Sequence, residues 1–70
     1  MKTRKRRLVS GYLIKIDSTY NDYSMNREEC KRRLSQTRAD AIQQLKKGKF
    51  DEPHFALIEN KITGYLKDLG

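Results

Sequence analysis

Three stretches of this chain carry apolar side chains three or four residues apart, and turn-forming residues separate them. That spacing places side chains on one face of an α-helix, so it restricts the fold to helices packed by their apolar stripes. In the first stretch the stripe is Val9, Leu13, Ile16, Tyr20 and Tyr23, widened by Tyr12 and Thr19. A strand is the rival reading, since Leu8, Tyr12, Ile14 and Ile16 include alternating β-formers and Gly11 weakens a helix by about 1 kcal/mol. The 3–4 spacing persists to Tyr23, which favours the helix. The turn formers of Tyr20-Asn21-Asp22-Tyr23-Ser24 should end it.

The second stretch has a marked start and stop. Asn26 is an N-cap residue and Glu29 stands three positions on, as in a capping box, with Glu28 and Glu29 where the helix dipole favours acid. The stripe runs Cys30, Leu34, Thr37, Ala41 and Leu45, with Ile42 beside it. Lys46 and Lys47 suit the last turn, and Gly48 suits the left-handed residue that closes it. In the third stretch Asp51 is the natural cap and Pro53 is tolerated in the first turn. Phe50 and Phe55 have the spacing of a hydrophobic staple, and Phe55, Ile58, Ile62, Tyr65 or Leu66, and Leu69 share one face. The reading is therefore an all-α, small three-helix bundle, with helices at about 6–22, 27–47 and 52–69. The short link Lys47-Gly48-Lys49-Phe50 makes the last two an antiparallel hairpin.

At 70 residues this is one domain at most, with a small core and no room for a walled catalytic cleft. A basic flexible arm at 1–7 and a single domain at 8–70 are expected. The middle helix contributes few large apolar side chains, so a partner chain is one way to complete its burial. A seam of Val9, Leu13, Ile16 and Tyr20 on one helix and Phe55, Ile58, Ile62 and Leu66 on another is the expected partner surface.

The net charge of +7 is unevenly spread. Residues 1–7 hold +5, 8–25 hold −1, 26–50 hold +5 and 51–70 hold −2. Arg4, Lys5, Arg6 and Arg7 in the arm, with Lys31, Arg32, Arg33 and Arg38 in the second helix, are the expected polyanion contacts. A helix-turn-helix reading is disfavoured, because the last helix, which would enter the groove, carries Asp51, Glu52, Glu59 and Asp68. A basic run before an amphipathic helix also suits the cytoplasmic side of an anionic membrane. If Met1 is not the native start, this run would stand at the cytoplasmic end of a membrane span.

No catalytic or metal-binding constellation is visible. One Cys and one His lie far apart, no serine stands in a nucleophile motif, and no glycine-rich loop exists to hold a phosphate. No enzyme activity, cofactor, metal or small-molecule substrate is expected. His54 reads as a partly exposed turn residue, with pH sensing as the rival. Cys30 reads as a small buried hydrophobe, with a thiol activated by Arg27, Lys31 and Arg33 as the rival. The lone cysteine calls for no oxidising compartment, and no apolar run approaches membrane-span length, so a cytoplasmic location is expected, at the membrane face if the arm meets lipid.

The hairpin residues Leu45, Gly48, Phe50, Asp51, Phe55 and Ile62 resemble the SHOCT family of short C-terminal helical hairpins in their spacing. His54 stands where that motif usually has Glu, and Pro53 departs from it. The resemblance covers about residues 45–66, with the first 25 residues outside it, and implies an oligomerisation or protein-interaction appendage, often on membrane-associated proteins. It implies no catalytic residues. Together these readings lead to a small protein–protein interaction or self-association module. Sequence-nonspecific nucleic-acid binding through the arm and second helix is the alternative.

Overall fold

A computed structural model describes the backbone of residues 2–70 and the side chains from Arg6 onward. Its three helices are α1 (Lys2–Tyr23), α2 (Arg27–Lys46) and α3 (Glu52–Leu69), and each packs against the other two. The chain runs up, down and up, so α1 and α3 are parallel neighbours and α2 is antiparallel to both. No strand occurs among the described residues. The chain is a small all-α, three-helix bundle.

Helix α1 starts at Lys2, about four residues before the expected boundary. The basic segment 2–7 therefore stands in the first turns of the helix instead of forming a separate arm. Lys and Arg are good helix formers, so a helix anchored by Val9 and Tyr12 extends through them. Cations at a helix N-terminus oppose the macrodipole, and no acid offsets them in this first turn. Arg4 and Lys5, two of the expected polyanion contacts, lie outside the described side chains.

The signals around α2 hold with one exception. The side chain of Asn26 accepts the Glu29 backbone N–H at 3.2 Å. Glu29 does not complete the box, because its carboxylate holds Arg32 and Arg33 one turn later. At the other end Gly48 adopts φ 77°, its N–H reaches the Leu45 carbonyl at 3.0 Å, and Lys49 N–H reaches Gln44 at 3.0 Å. These two bonds form a Schellman motif, which needs a left-handed residue at this position. The chain then enters α3 through extended Asp51, whose carbonyl accepts the His54 and Phe55 N–H groups, with Pro53 in the first turn.

The core is built from all three stripes: Val9, Tyr12 and Ile16, then Cys30, Leu34 and Ala41, then Ile58, Ile62 and Leu69, with Phe50 from the hairpin turn. The rings of Tyr12 and Phe50 meet edge to face at 6.0 Å. Thr19 and Thr37 are buried too, and each returns its hydroxyl to the carbonyl four residues earlier, at 2.8 and 3.0 Å. Leu45, the largest expected contribution near the end of α2, is only half-buried. The lean stripe of α2 is nevertheless covered within one chain: Cys30, Leu34, Thr37 and Ala41 are all buried.

Candidate interaction surfaces

The expected partner seam divides into two groups. Val9, Ile16, Ile58 and Ile62 are buried in the core of the single chain, the last three at 0% exposure, so they present nothing to a partner. This corrects the seam reading: the 3–4 stripe marks the side that faces the other helices of the same chain. Leu13, Tyr20, Phe55 and Leu66 remain half-buried at the margins of that core.

The large apolar side chains that face solvent are others. Ile14 is 66% exposed, Leu57 is 54% exposed, and Met25 in the α1–α2 turn is almost fully exposed. Ile14 and Leu57 belong to the two parallel helices. Sequence reading missed both as surface features because each falls one position outside a stripe. A large apolar residue off the stripe was the signal that would have found them.

The joint between α1 and α3 is polar at its rim. Tyr65 donates its hydroxyl to Asp17, Lys61 pairs with the same carboxylate at 3.2 Å, and Tyr20 donates to Asp68 at 2.6 Å. The Tyr65 bond, then Lys61, hold the Asp17 carboxyl below the usual carboxylate range. The same bond pushes the Tyr65 phenol up to about 12, and Asp68 raises that of Tyr20. On the α1–α2 side Tyr12 donates to Asp40 at 2.6 Å, and burial, with that bond, raises its phenol strongly. Each pair joins two helices, so these ionisable groups act as clasps.

The expected polyanion contacts also divide. Arg6 and Arg7 are exposed on α1, and Lys31 is half-buried. Arg32 and Arg33 both hold Glu29, and Arg33 also lies over the Tyr23 ring at 4.2 Å. The Arg32 bond, more than the Arg33 one, lowers the Glu29 carboxyl. Arg38 pairs with Glu59 of α3 at 2.5 Å. Three of the four α2 cations chosen from the sequence thus have a carboxylate beside them.

Cys30 is fully buried, with its sulfur 3.9 Å from the Thr19 carbonyl, and burial pushes its thiol up. The neighbouring cations do not activate it. His54 is half-buried, and its Nδ1 has no hydrogen-bond partner among the described residues. The surface grooves are shallow; one, lined by Arg7, Leu8, Gly11, Tyr12, Lys15 and Asp40, follows the α1–α2 joint. No cluster of three or more metal-ligating side chains occurs among the described residues, and none of their helices is long and apolar enough to cross a membrane.

No protein-family model matches this chain, and neither the curated proteins nor the solved structures contain a significant match to it.

Proposed function

We propose that this chain is a non-catalytic self-association module in which a second copy covers the outer face of α1 and α3. The observation that carries this reading is the exposure of Ile14 and Leu57 on adjacent parallel helices of a bundle whose own core is already filled. Half-buried Leu13 lies beside Ile14 on α1 and extends the apolar area toward α3. Burying such a patch in a symmetric pair gives each side chain about 1.5–3 kcal/mol of transfer free energy, enough for a weak, concentration-dependent dimer. The resemblance of the hairpin to the SHOCT motif points to the same class of role.

The test is sedimentation equilibrium up to about 1 mM chain, the range of weak dimers. The expected result is a mass above 8.3 kDa that falls to the monomer value in the Ile14→Asp/Leu57→Asp variant, with helicity unchanged. A wild-type chain that stays monomeric throughout sinks the reading.

Sequence-nonspecific nucleic-acid binding is the second reading, and it rests on the exposure of Arg6 and Arg7. The α2 part of that reading is weakened by the carboxylate partners of Arg32, Arg33 and Arg38.

A further inference from the structure

We infer that one end of the bundle is a docking pole for an anionic lipid surface, built by Arg6 and Arg7 of α1 together with Lys46, Lys47 and Lys49 of the hairpin turn. The two segments are 40 residues apart in sequence, and the antiparallel packing of α1 on α2 brings them level. The Tyr12–Asp40 bond sets the register. Counting outward at about 1.5 Å per residue, Arg6 and Lys46 both stand about 9 Å beyond that bond. Parallel packing of α1 and α3, registered by Asp17 with Lys61 and Tyr65, places Asp51 and Glu52 at the same end. Among the described side chains the pole therefore holds five Lys/Arg against two acids, and Lys2, Arg4 and Lys5 precede them in the sequence.

The sides of the bundle carry eight Lys/Arg against seven acids, a net +1. Arg32, Arg33, Arg38 and Lys61 each stand against a carboxylate. Beyond Arg7, α1 has Lys15 alone against Asp17 and Asp22. This distribution selects among polyanions. A helix seated in a duplex groove meets phosphates on both of its flanks, whereas the flanks here are nearly neutral. A flat array of lipid phosphates can instead meet the whole blunt end, about 18 by 15 Å across, at once.

The first turns of α1 supply a further reason. These turns carry no acid, so Arg6 and Arg7 stand toward the positive end of the helix dipole, which opposes them. An anionic surface relieves that opposition. Lys46 and Lys47, by contrast, end α2 where cations are favourable, so the hairpin side of the pole is held ready without ligand.

Vesicle co-sedimentation tests this, with phosphatidylcholine alone and with about 30 mol % phosphatidylserine. The intact chain is expected to sediment with the anionic vesicles only. Lys46→Gln/Lys47→Gln/Lys49→Gln should weaken binding about 150-fold and Arg6→Gln/Arg7→Gln about 30-fold, since each cation at the surface contributes a similar factor. The two variants lie on different elements, and circular dichroism of each reports whether it folds. Arg32→Gln/Arg33→Gln/Arg38→Gln, which removes as much charge from the flank as the hairpin variant removes from the pole, should bind within about threefold of wild type. Equal losses in the flank and hairpin variants would overturn the pole. So would tighter binding to duplex DNA or single-stranded RNA than to the vesicles at about 150 mM salt.

Discussion

The ring of Tyr20 lies flat on that of Tyr65, with centroids 4.1 Å apart and planes 11° apart, and each hydroxyl reaches a carboxylate on the other residue's helix. Two parallel helices are thereby joined at one level by a stack and two crossed hydrogen bonds. Stacking fixes the spacing of α1 and α3, and the crossed bonds fix their relative height, because a slip of either helix breaks both.

This clasp makes stability sensitive to alkaline pH. A phenol whose folded pKa is raised stays protonated in the folded chain after its unfolded counterpart has lost its proton. Its contribution is fully present below about pH 10 and is lost as pH rises through the folded value, which for Tyr65 is about 12. Thermal melts should show the melting temperature falling progressively above pH 10. Tyr65→Phe should flatten that fall, since the variant has no proton to lose at this site. An unchanged alkaline slope in Tyr65→Phe would separate the titration from this clasp.

At the other end Tyr12 and Phe50 make a T-shaped pair, and the two contribute differently. Tyr12→Phe keeps the ring contact and removes only the bond to solvent-exposed Asp40, so it should cost about 1 kcal/mol. Phe50→Ala removes a ring that is 1% exposed and leaves a cavity, at about 3–5 kcal/mol. Chemical denaturation should rank the two in that order. A chain of this length has only about 4–10 kcal/mol in total, so the second variant approaches unfolding at room temperature.

Replacing Ile62 with Asp should unfold the chain. The site has no exposure and belongs to the same apolar core cluster as Ile16, Leu34 and Ile58, which holds no cation to pair with a carboxylate. Leu57→Asp, one and a half turns earlier on the exposed face of the same helix, should keep native helicity. Far-ultraviolet circular dichroism distinguishes the two. A folded Ile62→Asp chain would contradict the core described here.

Two glycines should respond with opposite signs to the same substitution. Gly48 has φ 77°, so Gly48→Ala should destabilise by about 1–2 kcal/mol, although space is open around it. Gly11 lies within α1 with open space where a methyl group would stand, so Gly11→Ala should stabilise by about 1 kcal/mol through helix propensity. Paired denaturation curves check both signs together.

Much of the fold was legible because helices are specified locally. The Asn26 cap, the Gly48 stop and the Asp51-Glu52-Pro53 start act within a few residues of themselves, and all three mark observed boundaries. The start of α1 was less legible. A basic run reads as a solvated tail by composition, and only its continuity with the anchored turn at Val9 draws it into the helix. The surfaces were less legible still. Periodicity at Ile16, Ile58 and Ile62 reports which side of each helix is apolar, and a stripe covered by its own chain has the same spacing as one left for a partner.

The sequence by itself determined three helices, their stripes and the hairpin, since spacing, caps and turn residues are properties of neighbouring positions. Tertiary structure decided which cations meet carboxylates of another helix. Glu59 reaches Arg38 and Asp17 reaches Lys61 only when separate helices pack in one register. The same register brings Arg6 and Arg7 level with the lysines of the hairpin. Electrostatic energy depends on distance through space, and in a folded chain that distance is set by packing, not by position along the backbone.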